Sequence, residues 1–341
     1  MFVTFALLML GLFWQVKADW SMLPAIPDQE GFAGAFAGSS HDNILVAGGA
    51  NFPDRKPWDG GAKRWHSSVY QFVAEEATWR RVGDLPRPLG YGVSVNYQDK
   101  LICVGGSDAG QHYRNVFSLE VADGQVSIAS LPDLPHPLAN GAGVLAGATL
   151  YVVGGQESPT SPNGLPSVYT LDLSNPIRGW KTIAPLPGVG RILSVCAATE
   201  DSIFVFGGVE LFRSDSGAIQ RRYLRDCYQY RVEKGWTRLP DLPHALAAGA
   251  TPAPVRNGKI FLVGGDDGAQ VGITHDQHNG FRTEVLQYDL ATKRWENVGQ
   301  TPAPRVTLTT VELGDHFIFP SGEMKPGIRS PQVWSWQPAV R

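Results

Sequence analysis

A short apolar run ending in two glycines returns along this 341-residue chain, and it limits the possible fold more than any other feature. Ile44-Leu45-Val46-Ala47-Gly48-Gly49 is the first copy, and residues 101–106, 150–155, 203–208 and 260–265 repeat it. A degenerate sixth copy reads Phe317-Ile318-Phe319-Pro320-Ser321-Gly322. The first glycine stands at positions 48, 105, 154, 207 and 264, with Ser321 sixth, so the gaps are 57, 49, 53, 57 and 57 residues. Self-similarity at such a period marks a repeat architecture, in which one supersecondary unit is stacked many times.

Each unit then continues in a fixed order. A polar loop is followed by an alternating strand-like segment at 67–72, 115–119, 167–173, 227–232, 284–290 and 332–336. Next comes a Trp ahead of Leu-Pro or Thr-Pro: Trp79, Trp180, Trp236 and Trp295, with Val126 in that place in the second unit. Gly- and Ala-rich segments such as 31–38, 90–95 and 140–144 precede the double-glycine runs. Four strands per unit and a period near the roughly 50 residues of a Kelch blade predict an all-β, six-bladed Kelch β-propeller. Small residues suit the innermost strand, where blades converge, and glycine permits a backbone turn that a Cβ would forbid. The repeated Trp and Tyr are expected to pack between blades. The last unit stops at Val333-Trp334-Ser335-Trp336, while Trp20-Ser21-Met22-Leu23-Pro24 matches the missing Trp strand. The N-terminal strand is therefore expected to complete the last blade and close the ring.

The formal charge of −3 and the absence of a basic run argue against a nucleic-acid partner. Residues 2–14 are apolar and uncharged, and Val16-Lys17-Ala18 offers a cleavage pattern before Asp19. That stretch is shorter than the roughly 20 residues of a membrane span. It reads as a signal peptide over 1–18, with the propeller occupying 19–341. An uncleaved N-terminal anchor is the alternative. Cleavage leaves no stable membrane insertion, and both readings place the domain outside the cytoplasm, periplasmic or secreted. Three cysteines make no disulfide framework, and Cys103, Cys196 and Cys227 read as buried thiols.

Long polar loops recur at 50–66, 107–114, 156–166, 209–226, 266–283 and 323–331, all expected on one face around a central funnel. The sixth is unusual, because Glu323 directly follows the turn where the other units carry Ala50, Ser107, Gln156, Val209 and Asp266. Lys325, Pro326-Gly327 and Arg329 come next. Taken by themselves, these residues read either as a carboxylate neutralised by cations to hold a loop, or as a base beside an anion clamp. Asn51, Lys63, His66, Arg191 and His244 are further candidates for the funnel. His275 and His278 lack the partners of a metal site, and no metal or cofactor is expected.

Ser-Gly-Glu-Met-Lys-Pro-Gly-Ile-Arg at 321–329 resembles the Gly-Glu-Ala-Lys-Pro-Gly-Leu-Arg motif of the N-acetylneuraminate epimerases, the Kelch-type sialic acid mutarotases. Residues 31–38, 47–52 and 91–94 are similar to further stretches of that family. The order differs: in the family the Glu-containing blade precedes the Phe-Ala-Gly blades, whereas here it is the last, as a cyclic permutation would give. The resemblance implies Glu323 as proton acceptor and Arg329 as the group engaging a small-molecule sugar acid. Anomer interconversion needs a proton taken from the anomeric hydroxyl and another given to the ring oxygen. A carboxylate of ordinary acidity serves the first step, and a guanidinium holds the acid group through paired hydrogen bonds. The loop 54–65 differs in composition from the family, and Leu89 stands where the family has an arginine. A non-catalytic Kelch module binding a carbohydrate or protein is the competing reading, because propellers host many functions.

Overall fold

The computed structural model describes residues 19–339. The expected signal peptide at 1–18 lies outside the described residues. Six four-stranded antiparallel sheets are arranged as the blades of a propeller, and no α-helix occurs among the described residues. No helix there is long and apolar enough to cross a membrane.

The first five blades run innermost to outermost in chain order. In the first, Phe36–Ser40, Asn43–Ala47, Ser68–Val73 and Thr78–Asp84 pair in sequence. The double-glycine run supplies the second strand, as the repeat predicts, and the Trp lies on or beside the fourth. Blade six takes its inner three strands from Val311–Leu313, His316–Pro320 and Val333–Gln337. Its outer strand is Asp19–Leu23, in antiparallel register from Asp19 opposite Gln337 to Leu23 opposite Val333. Trp20 stacks on Trp336 with ring centroids 5.4 Å apart, so apolar packing as well as hydrogen bonding seals the join.

Apolar side chains leave both faces of the inner strands, because each blade has a neighbour on either side. The result is one apolar cluster per interface. Phe36 and Leu45 of blade one meet Leu101 and Leu119 of blade two. Phe261 and Val263 of blade five meet Phe317 and Trp336 of blade six. The outer-strand tryptophans also reach backward to the preceding blade: the Nε1–H groups of Trp79, Trp180, Trp236 and Trp295 donate to the carbonyls of Pro24, Pro132, Ala184 and Pro240, at 2.7–3.1 Å. Their recurrence is thus a recurring interblade bond.

At the axis a second bond repeats six times. Gly34, Tyr91, Asn140, Leu193, Ala248 and Thr307 all have φ between 53° and 64°. The amide of each donates to the carbonyl of the one before it, and Gly34 donates to Thr307, with every distance 2.7 or 2.8 Å. This is a closed hydrogen-bonded hoop around the tunnel. Because the blades form one ring, removing residues 19–25 exposes the Val333–Gln337 edge and strips Trp336 of its stacking partner. We expect a loss of about 3 kcal/mol or more in unfolding free energy, read by urea titration against the chain starting at residue 19.

Candidate active site

The glycine turns determine what faces the tunnel. Second-position glycines donate their amides to the lead-in residue of the next blade: Gly49 to Leu89, Gly155 to Arg191, Gly265 to Arg305 and Gly322 to Phe32. The residue after each turn then bridges the lead-in segment of its own blade, so Ala50, Ser107, Gln156, Val209, Asp266 and Glu323 occupy equivalent places around the axis. Ser321 takes the first-glycine position of blade six at φ 61°, which disfavours a residue with a Cβ. Its hydroxyl compensates: Oγ accepts from the Phe32 amide at 2.6 Å and lies 2.9 and 2.8 Å from the Phe32 and Ser330 carbonyls.

Glu323–Lys325 and Ile328–Arg329 form a small hairpin closed by Pro326-Gly327. Gly327 has φ 82°, and a Cβ there would come within 3.0 Å of Pro57 and Trp58 in the loop of blade one. Glycine is required on both counts, and its amide donates to Glu323 Oε1 at 2.8 Å. Arg329 Nη1 donates to the same oxygen at 2.6 Å, leaving Oε2 outside both bonds. The Arg329 guanidinium is almost fully buried and lies 4.9 Å from the Phe52 ring centroid.

This pair lines a cavity of about 510 Å³ at the mouth of the tunnel. Lys63, Tyr91, Asp108, His112, Gln156 and Arg221 share its wall. Lys63 Nζ is 3.4 Å from Tyr91 Oη and 5.3 Å from the Trp65 ring centroid. Burial draws the His112 imidazole below its ordinary pKa, and its Nε2 lies 3.4 Å from the Gln156 side-chain nitrogen. Asp108 is occupied by its own loop, accepting from the Gly110 and Gln111 amides at 2.8 and 3.0 Å. Three cations face two carboxylates, one of them turned to its own backbone. Such a cavity suits a small polyhydroxylated anion.

Of the candidates read from sequence, Glu323, Arg329 and Lys63 come together here. Asn51, His66, Arg191 and His244 do not line this cavity, contrary to the expectation. Asn51 is fully buried, donating to the Gly31 carbonyl at 3.0 Å and sitting 2.7 Å from His66 Nε2. Arg191 is fully buried in a two-pronged bond to Asp226 at 2.7 and 2.8 Å. His244 Nε2 pairs with Glu284 at 2.6 Å. Each satisfies backbone or carboxylate groups between strands. Gln156 could have been found from its place in the repeat, since it occupies the same position as Glu323. Arg221 sits on an additional hairpin, Val209–Arg213 with Ile219–Tyr223, which has no counterpart of its length in the other blades.

Compared with known proteins, the family model described as N-acetylneuraminate epimerase matches residues 7–128 and 131–272. The chain belongs to the N-acetylneuraminate epimerase family. Its N-acetylneuraminate epimerase relative from Haemophilus influenzae (strain 86-028NP) is 30% identical over 228 residues, covering 59% of this chain and 58% of the relative. The one from Yersinia pestis (strain Pestoides F) is 45% identical over 106 residues, 28% of this chain and 26% of the relative. The chain thus matches less than two thirds of the length of these epimerases. The solved structure of YjhT superposes with TM-score 0.66 at 14% identity, covering 93% of this chain and 99% of that one, which establishes the same fold. Both family-matched segments end before the Glu323–Arg329 hairpin.

Two outcomes test these placements. Arg191→Met leaves the Asp226 carboxylate buried without its partner, and we expect a loss of about 3–5 kcal/mol in urea unfolding. A loss below 1 kcal/mol, a roughly fivefold change in the folding equilibrium, would return Arg191 to the candidate ligand contacts. His66, like His112, is held below its ordinary pKa chiefly by burial. As the pH falls below about 6.5, the unfolded chain takes up protons that the folded chain resists, so stability declines with acidification. The urea midpoint should drop between pH 7 and pH 5, and less steeply in the H66Q/H112Q double variant.

Proposed function

We propose that this protein accelerates interconversion of the anomers of N-acetylneuraminate or a closely related sugar acid. The observation carrying this reading is the Glu323–Arg329 pair, 2.6 Å apart on the wall of the tunnel-mouth cavity. Family membership supports it. Glu323 takes the proton of the anomeric hydroxyl as the carbon–oxygen ring bond breaks, and the ring oxygen gains a proton. Water in the open cavity supplies the ring-oxygen proton. The carbonyl so formed rotates, and the ring hydroxyl recloses on its other face, returning its proton to water while Glu323 reprotonates the new anomeric oxygen.

Arg329, with Lys63 nearby, grips the substrate carboxylate. At rest the guanidinium is spent on Glu323. A bound carboxylate competes for it, and the partial release frees Glu323 Oε1 at the moment a hydroxyl arrives. Tyr91, Trp65 and Phe52 supply apolar wall for the face of the sugar ring.

The 321–329 motif lies outside the matched segments, and we read its place after the other family-like stretches as a cyclically permuted order of blades. We read 1–18 as an export signal, and the sugar acid as one met outside the cytoplasm. Proton NMR of freshly released α-anomer tests the reaction. The protein should shorten equilibration relative to buffer, and Glu323→Gln should slow the catalysed rate about 100-fold or more. Arg329→Met should raise KM about thirtyfold or more. Full activity in the Glu323→Gln variant sinks the assignment and leaves a carbohydrate-binding propeller.

A further inference from the structure

The internal repeat singles out one buried charge. Lead-in residues of the blades are Phe32, Leu89, Leu138, Arg191, Leu246 and Arg305, four of them apolar. Arg191 meets Asp226, whose carbonyl receives the first-glycine amide of blade four. The equivalent residue in blade six is Gln332, whose carbonyl receives the Ser321 amide. Arg305 therefore repeats the position of Arg191, but its carboxylate partner is replaced by a neutral amide. Its Nη2 donates to Gln332 Oε1 at 2.9 Å and Ser330 Oγ at 3.0 Å, and Nη1 to the Pro304 carbonyl at 2.8 Å. Nε is buried with no partner among the described residues.

Arg305 is only 3% exposed, and burial brings its pKa down to about 10, so the guanidinium is charged at neutral pH. A buried cation without a counter-charge is unfavourable for folding and persists where it serves something else. What it touches is the root of the Glu323–Arg329 hairpin. A Cβ on Gly322, just before Glu323, would sit 3.1 Å from Arg305 Cδ, and Ser330 directly follows Arg329.

We propose that Arg305 is a positioning residue whose uncompensated charge, beneath the hairpin, favours the ionised Glu323 carboxylate and the bound sugar-acid anion. The anion half of this inference rests on the reaction proposed above. The groups facing Glu323 are Arg329 and Lys325 on its hairpin, Lys63 from blade one, Asp108 and His112 from blade two, and Arg221 from blade four. Arg305 is buried off the cavity wall, one residue before Val306, whose backbone bridges Glu323, so its charge reaches the site through protein, where screening is weaker.

The test is the carboxyl carbon-13 titration of Glu323 in full-length protein, assigned with E323Q. Q332E supplies the carboxylate that blade four has, and its Glu323 midpoint is expected to move to higher pH while its thermal midpoint rises. R305M removes the charge and is expected to move the Glu323 midpoint the same way. Q332M removes the hydrogen bond without altering charge, so its Glu323 midpoint stays in place. A merely structural role predicts equal behaviour of Q332E and Q332M. This titration needs no turnover: a moved midpoint supports the coupling even where the anomer assay fails. An unmoved midpoint in both Q332E and R305M overturns it even where the assay succeeds.

Discussion

The hoop of six backbone hydrogen bonds at the axis is the constraint from which the rest of this structure follows. Five of its members carry a Cβ in the left-handed region, at about 1–2 kcal/mol each. Such a conformation persists only because each amide finds the carbonyl of the blade before it. The hoop also sets the height of everything next to it. Ala33, Gly90, Ala139, Ile192, Ala247 and Val306 immediately precede its members and bridge the residues after the glycine turns. Glu323 holds its place at the tunnel mouth through this arrangement together with its own short hairpin.

Blade six carries two burdens. Its outer strand comes from the opposite end of the described chain, and its second-to-third loop holds the acidic hairpin. It is also where the repeat is least regular: Ser321 replaces a glycine, and Gln332 replaces the Asp226 equivalent. Local rules are most often broken where something other than stability is being served. The hydroxyl of Ser321, reaching Phe32 across the join between the last blade and the first, ties the site to the closure itself.

Features that recur from blade to blade can be read from sequence. The double glycines, the tryptophans and the N-terminal strand that completes the final blade all stand where the spacing puts them, because position in the repeat determines position in space. Side-chain partners are less legible. Arg191 looks like a free cation in a loop, yet it bonds Asp226, 35 residues on, across strands whose register the repeat alone does not reveal. Asn51 and His66 bond each other and the backbone in the same way. Tyr91, His112 and Arg221 escape a reading of the sequence, because nothing in their immediate surroundings distinguishes a side chain turned toward the axis from one turned toward solvent. Glu323 and Arg329 are visible because they flank a Pro-Gly turn within one hairpin, where spacing and contact coincide.

The weld between Asp19–Leu23 and Val333–Gln337 has a mechanical side. Antiparallel register puts residues 19 and 337 at the same end of the ladder. Tension between them loads the outermost rung alone, and the strands separate rung by rung like a zip fastener. Parallel strands pulled from opposite ends would instead share the load along their length in shear. A tether upstream of residue 19 combined with a pull at the other terminus would strain the ring at this seam.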